Sequence, residues 1–311
     1  MTEDPSHIAI IRTDRLGDMV LTLPMFSVLR QRFPDAQRTL ITRSYARPLV
    51  HDLSDIDNVV YIDEHNEPLH ALLHAHAIDA AFFPRPRLSE LWAAVRAGVK
   101  QRIGSGFRWY SPLFTTRITE HRSDAAFHEA EYNVRMISHA FGGAQPAVHL
   151  VSPRLENVAT KSSPPWIIIH PGSGGSACDW PAERFGLLAQ MLHNKLGAHI
   201  VITGIEAERA LCDEVHALCP ESENLCGALE LDDMIDLIAS SCVLCANSTG
   251  VLHIAAALGV GVVGFYPTTP SMSARRWGPY TKHCVVLACG SGDDMSTISL
   301  DAAYAAVQSL L

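Results

Sequence analysis

Residues 242–267, CVLCANSTGVLHIAAALGVGVVGFYP, decide the fold. The run opens with apolar 242–246 and turns at Asn247-Ser248-Thr249-Gly250. It continues as an alanine-rich helical stretch, 251–258, and passes Gly259 into a second apolar run, 260–266. Strand, turn, helix and strand in that order make a βαβ unit whose turn lies at the carboxyl end of a strand. A turn there exposes unpaired helix amides, and small hydroxyl residues let a phosphate approach them. The same Asn, Ser or Thr would serve as a helix N-cap with no ligand at all, so the stretch alone leaves both readings open.

The alternation extends in both directions. Upstream, 7–12 (HIAIIR), 39–42, 58–63 and 79–84 read as strands, separated by helical stretches near 46–52, 68–75 and 89–99. A single helix is expected over 19–33 with Pro24 near its start, a further short strand and loop over 101–110, and a helix over 128–141 closed by Gly142-Gly143. Ser152-Pro153 and Lys161-Ser-Ser-Pro-Pro165 bracket a polar linker. The pattern then restarts: strand 166–170, the loop Pro171-Gly-Ser-Gly-Gly-Ser176, helix 182–196, strand 199–203, and helices 206–218, 231–240 and 300–311. Strands alternating with helices predict parallel sheets covered on both faces. The expected division is two domains, 1–153 and 154–311.

Composition narrows the class. A 311-residue chain with 48% hydrophobic residues can bury two ordinary cores. No uncharged apolar run approaches the ~20 residues of a membrane span, and the acidic start MTEDPSHIAIIR lacks the basic opening of a signal peptide. A cytoplasmic location is expected. The eight cysteines all fall at or after Cys178 and read as reduced core residues, the Cys242-x-x-Cys245 pair included. Residues 1–153 carry 16 Lys+Arg against 17 Asp+Glu, whereas 154–311 carry 8 against 16. An arginine-rich first half suits an anionic partner, although scattered solvated arginines are the commoner explanation. Nucleic acid is not an expected partner.

Two loops carry the candidate chemistry. After the first strand, Thr13-Asp14-Arg15-Leu16-Gly17-Asp18 puts Asp18 at a helix N-terminus, where the dipole is expected to keep its pKa low. Asp18 is then either a cap or a general base at the mouth of a parallel sheet. In the second half, the glycine-serine loop 172–176 follows a strand as a phosphate cradle should. It completes neither GxGxxG, since Ala177 occupies the third glycine position, nor GxxxxGK[ST], and no GxSxG elbow occurs. Dinucleotide dehydrogenases, P-loop NTPases and common hydrolases are therefore unsupported. Asp55-x-Asp57 matches a metal-holding DxD pattern but reads as a surface turn, and His70, His74 and His76 read as a solvated helix face.

Together these motifs resemble the lipopolysaccharide heptosyltransferases of glycosyltransferase family 9. The resemblance rests on RLGDMVLTLP (15–24), HPGS (170–173) with WPAERF (180–185), and residues 247–257 with GFYP (264–267) and RWGP (276–279). It implies an α/β GT-B fold: two Rossmann-like, doubly wound parallel-sheet domains facing a central cleft, the first for the acceptor and the second for the nucleotide sugar. It also implies an inverting, metal-independent transfer with no cofactor. The donor would be ADP-heptose or a related nucleotide sugar. The acceptor would be a lipopolysaccharide core or another anionic glycolipid, reached through a peripheral contact with the inner membrane.

Carried over by position, Asp18 is the general base. Ser173, Gly174, Ser176, Asp232, Ser248, Thr249, Gly250 and His253 bind the nucleotide sugar, and Arg15 the acceptor. Two positions depart from the family pattern. Cys178 stands where a lysine is usual, and Ser248 where an aspartate is usual. Arg275, Arg276 or Arg15 would have to replace the lost charge, or the donor differs, or catalysis is weak or absent. The alternative reading is a non-catalytic sugar-nucleotide-binding protein on the same fold; retention of Asp18 favours the enzyme. An oxidoreductase would instead retain NAD(P) through purification.

Overall fold

The computed structural model describes residues 4–154, 163–175, 178–290 and 292–311. They form two compact units. One runs to Arg122 and resumes over Glu129–Val151; the other comprises Ser123–His128 and Ser152–Leu311.

The first unit is built on β1 (His7–Ile11), whose five residues are all buried. It joins β2 (Gln37–Thr42), β3 (Asn58–Tyr61), β4 (Ala80–Phe83), β5 (Gln101–Ser105) and β6 (Thr116–Ile118) in a parallel sheet of order β3-β2-β1-β4-β5-β6. Strands apolar on both sides need helices on both faces. These are α1 (Leu16–Val20), α2 (Pro24–Arg32), α3 (Arg47–Val50), α4 (Leu69–Ala75), α5 (Leu88–Arg96) and α6 (Glu129–Phe141). Ile11, Ile41, Phe83, Leu91 and Phe114 belong to one core cluster between sheet and helices.

The second unit repeats the plan. Its strands are β7 (Trp166–His170), β8 (His199–Ile202), β9 (Glu223–Asn224), β10 (Val243–Asn247), β11 (Gly261–Tyr266) and β12 (Cys284–Ala288), in the order β12-β11-β10-β7-β8-β9. Its helices are α7 (Ala182–Leu196), α8 (Arg209–Leu218), α9 (Leu231–Ser240), α10 (Gly250–Leu258), α11 (Ala274–Trp277) and α12 (Leu300–Leu310). Counted from its own first strand, each sheet winds three strands outward, returns past the start, and winds three more the other way. This is the doubly wound Rossmann order. The winding reverses between β1 and β4, and again between β7 and β10. Loops leaving those paired strands diverge and open a crevice at the carboxyl edge of each sheet.

Several elements differ from the sequence expectation. The helix predicted over 19–33 is two helices, because Pro24 has no amide hydrogen and so starts α2 at its first turn rather than continuing α1. The break lets α1 begin at Leu16, which places Asp18 in its first turn. The helix predicted over 206–218 opens with a 3-10 turn, Glu206–Glu208. Strands β6, β9 and β12 have no counterpart in the sequence reading. β6 and β9 are only three and two residues long, so no apolar run marks them, whereas β12 is a continuous apolar run, CVVLA, that the sequence reading leaves out. All eight cysteines are free thiols, and Cys212, Cys219, Cys226, Cys245 and Cys289 are buried. Among the described residues, no helix is long and apolar enough to cross a membrane. The predicted linker lies partly outside the described residues.

Trp180 locks the second unit's core. Its indole stacks on Phe265 at 4.3 Å between ring centroids, meets Phe185 edge-on at 4.8 Å, and donates from Nε1 to the Ile298 carbonyl at 3.2 Å. Trp180→Ala should cost about 3–5 kcal/mol by opening a cavity and orphaning that carbonyl. Urea denaturation checks this; a loss within experimental error would show that the core closes over the gap.

Candidate active site

In the first unit the site is assembled from charges at the end of β1. Arg12, the next residue, is only 2% exposed. Its Nε lies 2.7 Å from Asp14 Oδ1, and its Nη2 pairs with Asp18 Oδ1. Arg85, just beyond β4, contacts Asp14 Oδ2 at 3.0 Å. The result is an alternating chain, Arg85–Asp14–Arg12–Asp18, laid across the switch point. Tyr45 donates its phenol to the Asp14 carbonyl, and Thr13 donates to the buried Glu90 carboxylate at 2.5 Å. Among the described residues, Arg12 Nη1 is buried without a hydrogen-bond acceptor. An unmade bond of this kind costs about 1–3 kcal/mol, so the cluster is held in place by its surroundings rather than by its own satisfaction.

Asp18 does not have the low pKa expected of a carboxylate at a helix N-terminus. Burial pushes it above the ordinary aspartate value; Arg12 pulls the other way, and Asp14 and Glu129 add to the rise. Desolvation of a largely enclosed carboxyl outweighs the dipole of the five-residue helix α1. A raised pKa makes Asp18 a better proton acceptor than a solvated aspartate. Arg15 is exposed at the N-cap position of α1 and forms no ion pair among the described residues.

In the second unit, the loop after β7 and the N-terminus of α10 sit side by side, because β7 and β10 are neighbours. Asn247, fully buried at the end of β10, ties them together. Its Nδ2 donates to the Pro171 carbonyl at 2.6 Å, and its Oδ1 accepts from the Trp180 amide at 2.9 Å. Beneath the loop is Glu208, a buried carboxylate that accepts from the Gly174 amide at 3.0 Å and the Ile205 amide at 3.0 Å. A Cβ on Gly172 would lie 2.0 Å from Glu208 Oε1, so any larger residue there would push that carboxyl off the loop amides. Gly174 and Gly175 both have positive φ, +58° and +71°. His170 is kept neutral by burial and bonds Thr203 through Nδ1 at 3.0 Å.

The predicted donor residues therefore fall into three groups. Ser173 and Gly174 lie in the loop but already have partners, Asp179 and Glu208 respectively. Ser176 lies outside the described residues. Ser248, Thr249 and Gly250 come together at the start of α10. The Ser248 hydroxyl bonds the Tyr266 phenol, and the Thr249 side chain makes no capping bond among the described residues. His253, one turn in, is buried, has no Nδ1 partner among the described residues, and is pushed down to about 3 by burial, with His128 adding to the fall. It is neutral at physiological pH. Asp232 stands apart in the first turn of α9, 62% exposed and paired with Arg154 at 2.7 Å.

Arg275 and Arg276, proposed as substitutes for the missing lysine, have partners of their own. Arg275 donates to the Ala126 carbonyl at 3.1 Å, and Arg276 lies over the Trp277 ring. Cys178 packs against the core. The DxD aspartates bind Ser27, Arg30 and Arg38, which makes them structural. Arg12, Asp14, Arg85, Asn247 and Glu208 were not singled out from sequence. Arg12-Thr-Asp14 directly follows an apolar strand, which is a usable signal. Arg85 and Glu208 act on loops 71 and 34 residues away, and no local pattern marks them.

Two doubly wound parallel-sheet units, with a largely enclosed carboxylate at one switch point and a helix N-terminus at the other, have the architecture of the GT-B fold. Residues 91–298 match the profile of glycosyltransferase family 9 (heptosyltransferase), and the chain belongs to that family. It is 25% identical over 298 residues to lipopolysaccharide heptosyltransferase 2 of Escherichia coli, covering 86% of this chain and 84% of that one. It is 23% identical over 322 residues to lipooligosaccharide heptosyltransferase 2 of Haemophilus ducreyi, covering 90% and 88%. The structure of E. coli ADP-heptose LPS heptosyltransferase II superposes with a TM-score of 0.82 at 19% identity, over 98% of each chain. E. coli heptosyltransferase WaaC with ADP gives 0.72 at 16% identity, over 98% and 100%.

Arg12→Gln removes the charge that opposes the rise in the Asp18 pKa. An acidic limb of the kcat/KM profile set by Asp18 should move to higher pH; a limb that stays put would remove Arg12 from any part in tuning Asp18. Asn247→Ala orphans a buried amide and a buried carbonyl and should cost about 2–4 kcal/mol in urea denaturation.

Proposed function

We propose that the protein transfers heptose from ADP-heptose to a lipopolysaccharide core or another anionic glycolipid, without a metal ion and with inversion at the anomeric carbon. The observation that carries this reading is Asp18, an enclosed carboxylate with a raised pKa on a guanidinium at the carboxyl edge of β1. Binding a sugar nucleotide needs no such group. Deprotonating an alcohol does, because an alcohol is a weak nucleophile near neutral pH. The names of the relatives support the substrate class, and one structural neighbour was solved with ADP.

In the proposed step, Asp18 takes the proton of an acceptor hydroxyl as that oxygen bonds the anomeric carbon. The bond from that carbon to the diphosphate breaks, and its electron pair leaves with ADP. One displacement inverts the centre. Residues 1–153 bind the acceptor, with Arg15 facing its anionic groups, and residues 154–311 bind the donor.

The departing charge falls on the N-terminus of α10, through Thr249 and Gly250, where the helix dipole and the first-turn amides favour an anion. Ser173, Gly174 and Ser176 complete the cradle, with Glu208 giving up the Gly174 amide when phosphate arrives. Neutral His253 offers hydrogen bonding rather than charge, Ser248 steadies Tyr266, and Asp232 serves the ribose. The helix terminus does the electrostatic work that a metal would otherwise do. The reaction is assigned to the cytoplasm.

Asp18→Asn tests the reading. Turnover of ADP-heptose with a heptose-deficient lipopolysaccharide should fall by about 10²–10⁴-fold. Wild-type turnover should be unaffected by EDTA, and ADP should bind both forms equally. The sign of the stability effect is fixed by the raised pKa. The folded state disfavours ionised Asp18, so stability is full below the unfolded pKa and is lost as pH rises through the folded one. The neutral amide should therefore not lower the melting temperature at neutral pH. Undiminished turnover would sink the base assignment.

A second reading, a sugar-nucleotide-binding protein without turnover, draws on Cys178 and on the internal partners of Ser173, Gly174 and Ser248. ADP binding with no transfer to any anionic glycolipid would favour it.

A further inference from the structure

Residues 84–119 of the first unit hold seven of the chain's 24 Lys+Arg and one of its 33 Asp+Glu; of the seven, Arg87 and Arg108 flank exposed apolar side chains, Arg85 is paired with Asp14, and Lys100 and Arg102 lie at the opposite, amino end of β5. The one acid, Glu90, is buried on Thr13 and shows no charge outward. The same stretch holds four of the large apolar side chains most open to water. Trp109 is 81% exposed, Trp92 50%, Phe107 46% and Leu88 37%. Leu88 and Trp92 are four residues apart on α5, so they share one face of that helix.

These aromatics do not hang from a slack loop. Beyond β5, the Gly106 amide donates to the Ile118 carbonyl at 2.8 Å, and the Ser111 hydroxyl bridges the Arg108 amide and the Ser105 carbonyl. Phe107 stacks on His121 at 3.6 Å, and Trp109 meets Tyr110 edge-on. Tyr110 donates to the Pro86 carbonyl at 2.9 Å, which fixes the loop beside the start of α5 and beside Arg87. Hydrogen bonds thus hold indole and phenyl rings out in water, with the exposed Arg108 between them. Aromatic bodies rimmed by arginines suit the boundary between lipid headgroups and acyl chains, and cations near an anionic bilayer are attracted to it.

We propose that the loop carrying Phe107, Arg108 and Trp109, with Arg87 and the Leu88–Trp92 face of α5, is a docking surface for an anionic lipid bilayer. The inference rests on the proposed glycolipid acceptor and gives that acceptor a route to the base. The order β1-β4-β5 puts this loop two strands from the Asp18 loop on the same carboxyl edge, on the order of 10 Å away at ordinary strand spacing. Seated on a bilayer by this surface, the unit meets a membrane-anchored acceptor at the edge where Asp18 stands.

Co-sedimentation of the full chain with vesicles tests it. Vesicles of phosphatidylglycerol mixed with phosphatidylcholine should bind the wild type, pure phosphatidylcholine should bind it weakly, and added salt should release it. Trp109→Ala and Arg108→Glu should each weaken binding about tenfold or more while ADP affinity, measured by calorimetry, is unchanged. Transfer to a vesicle-embedded acceptor should fall in both variants, and transfer to a delipidated, water-soluble acceptor should not. Equal binding of both vesicle types, no binding of either, or variants that bind like the wild type would overturn the docking surface. So would sedimentation equilibrium showing a dimer that Trp109→Ala dissociates, since the patch would then join two copies. Failure of transfer to the soluble acceptor with vesicle binding intact would instead count against the glycosyltransferase step.

Discussion

A sheet of parallel strands must be covered by helices on both faces, which leaves the edge where the strands end as the place for polar chemistry. Both units obey this constraint, and nearly everything of chemical interest follows from it. β1 and β10 are buried at every position, so their first polar successors, Arg12 and Ser248, emerge at that edge. The reversal of winding separates the loops on either side and lets one charged or glycine-rich turn face outward. The fold thereby supplies two prepared edges, one lined with guanidinium and carboxylate, the other with backbone amides.

The two edges handle charge differently. In the first unit, opposite charges are stacked into a chain whose inner members, Arg12 and Asp14, are almost dry, and the carboxyl of Asp18 has its proton affinity raised because burial outweighs the adjacent guanidinium. In the second unit, bulky charge is kept out of the turn itself. α10 has no ionisable residue except a histidine that burial keeps neutral, so the helix dipole is the main local field. Glu208 is the exception. It sits under the glycine loop as an internal anion and holds the amide of Gly174, giving the loop a defined shape before any ligand arrives. A ligand phosphate would compete with a carboxylate already in place, which is a more exacting arrangement than an open nest of amides.

Much of the fold could be read from the chain. Apolar runs bounded by Gly, Pro and Asn marked most strands of both sheets, because a strand buried on both faces must be continuously apolar. β6 and β9 escaped notice because they are three and two residues long, whereas β12, apolar throughout, was as readable as the edge strand β3. Pro24 does begin a helix, but the sequence reading merges it with the separate short helix before it. Proline is compatible with a first turn, and only the packed structure shows which of two helices owns it. Of the candidate site, Asp18 and the 248–250 turn were legible because each follows a strand directly, whereas their supporting residues were not.

By itself, the sequence determined the alternation of apolar strands with amphipathic helices, the doubling of that pattern, and the turns at the strand ends. These are local properties, set by side-chain periodicity and by what glycine, proline and hydroxyl residues do to a backbone. Tertiary structure decided the rest. It brought Arg85 to Asp14 across 71 residues, Asn247 to Pro171 across 76, and Glu208 to Gly174 across 34. It also reversed the expected pKa of Asp18, because desolvation depends on everything packed around a carboxyl and not on its place in a helix. Contacts between distant segments and the burial of charge are properties of the closed fold, and no window of sequence contains them.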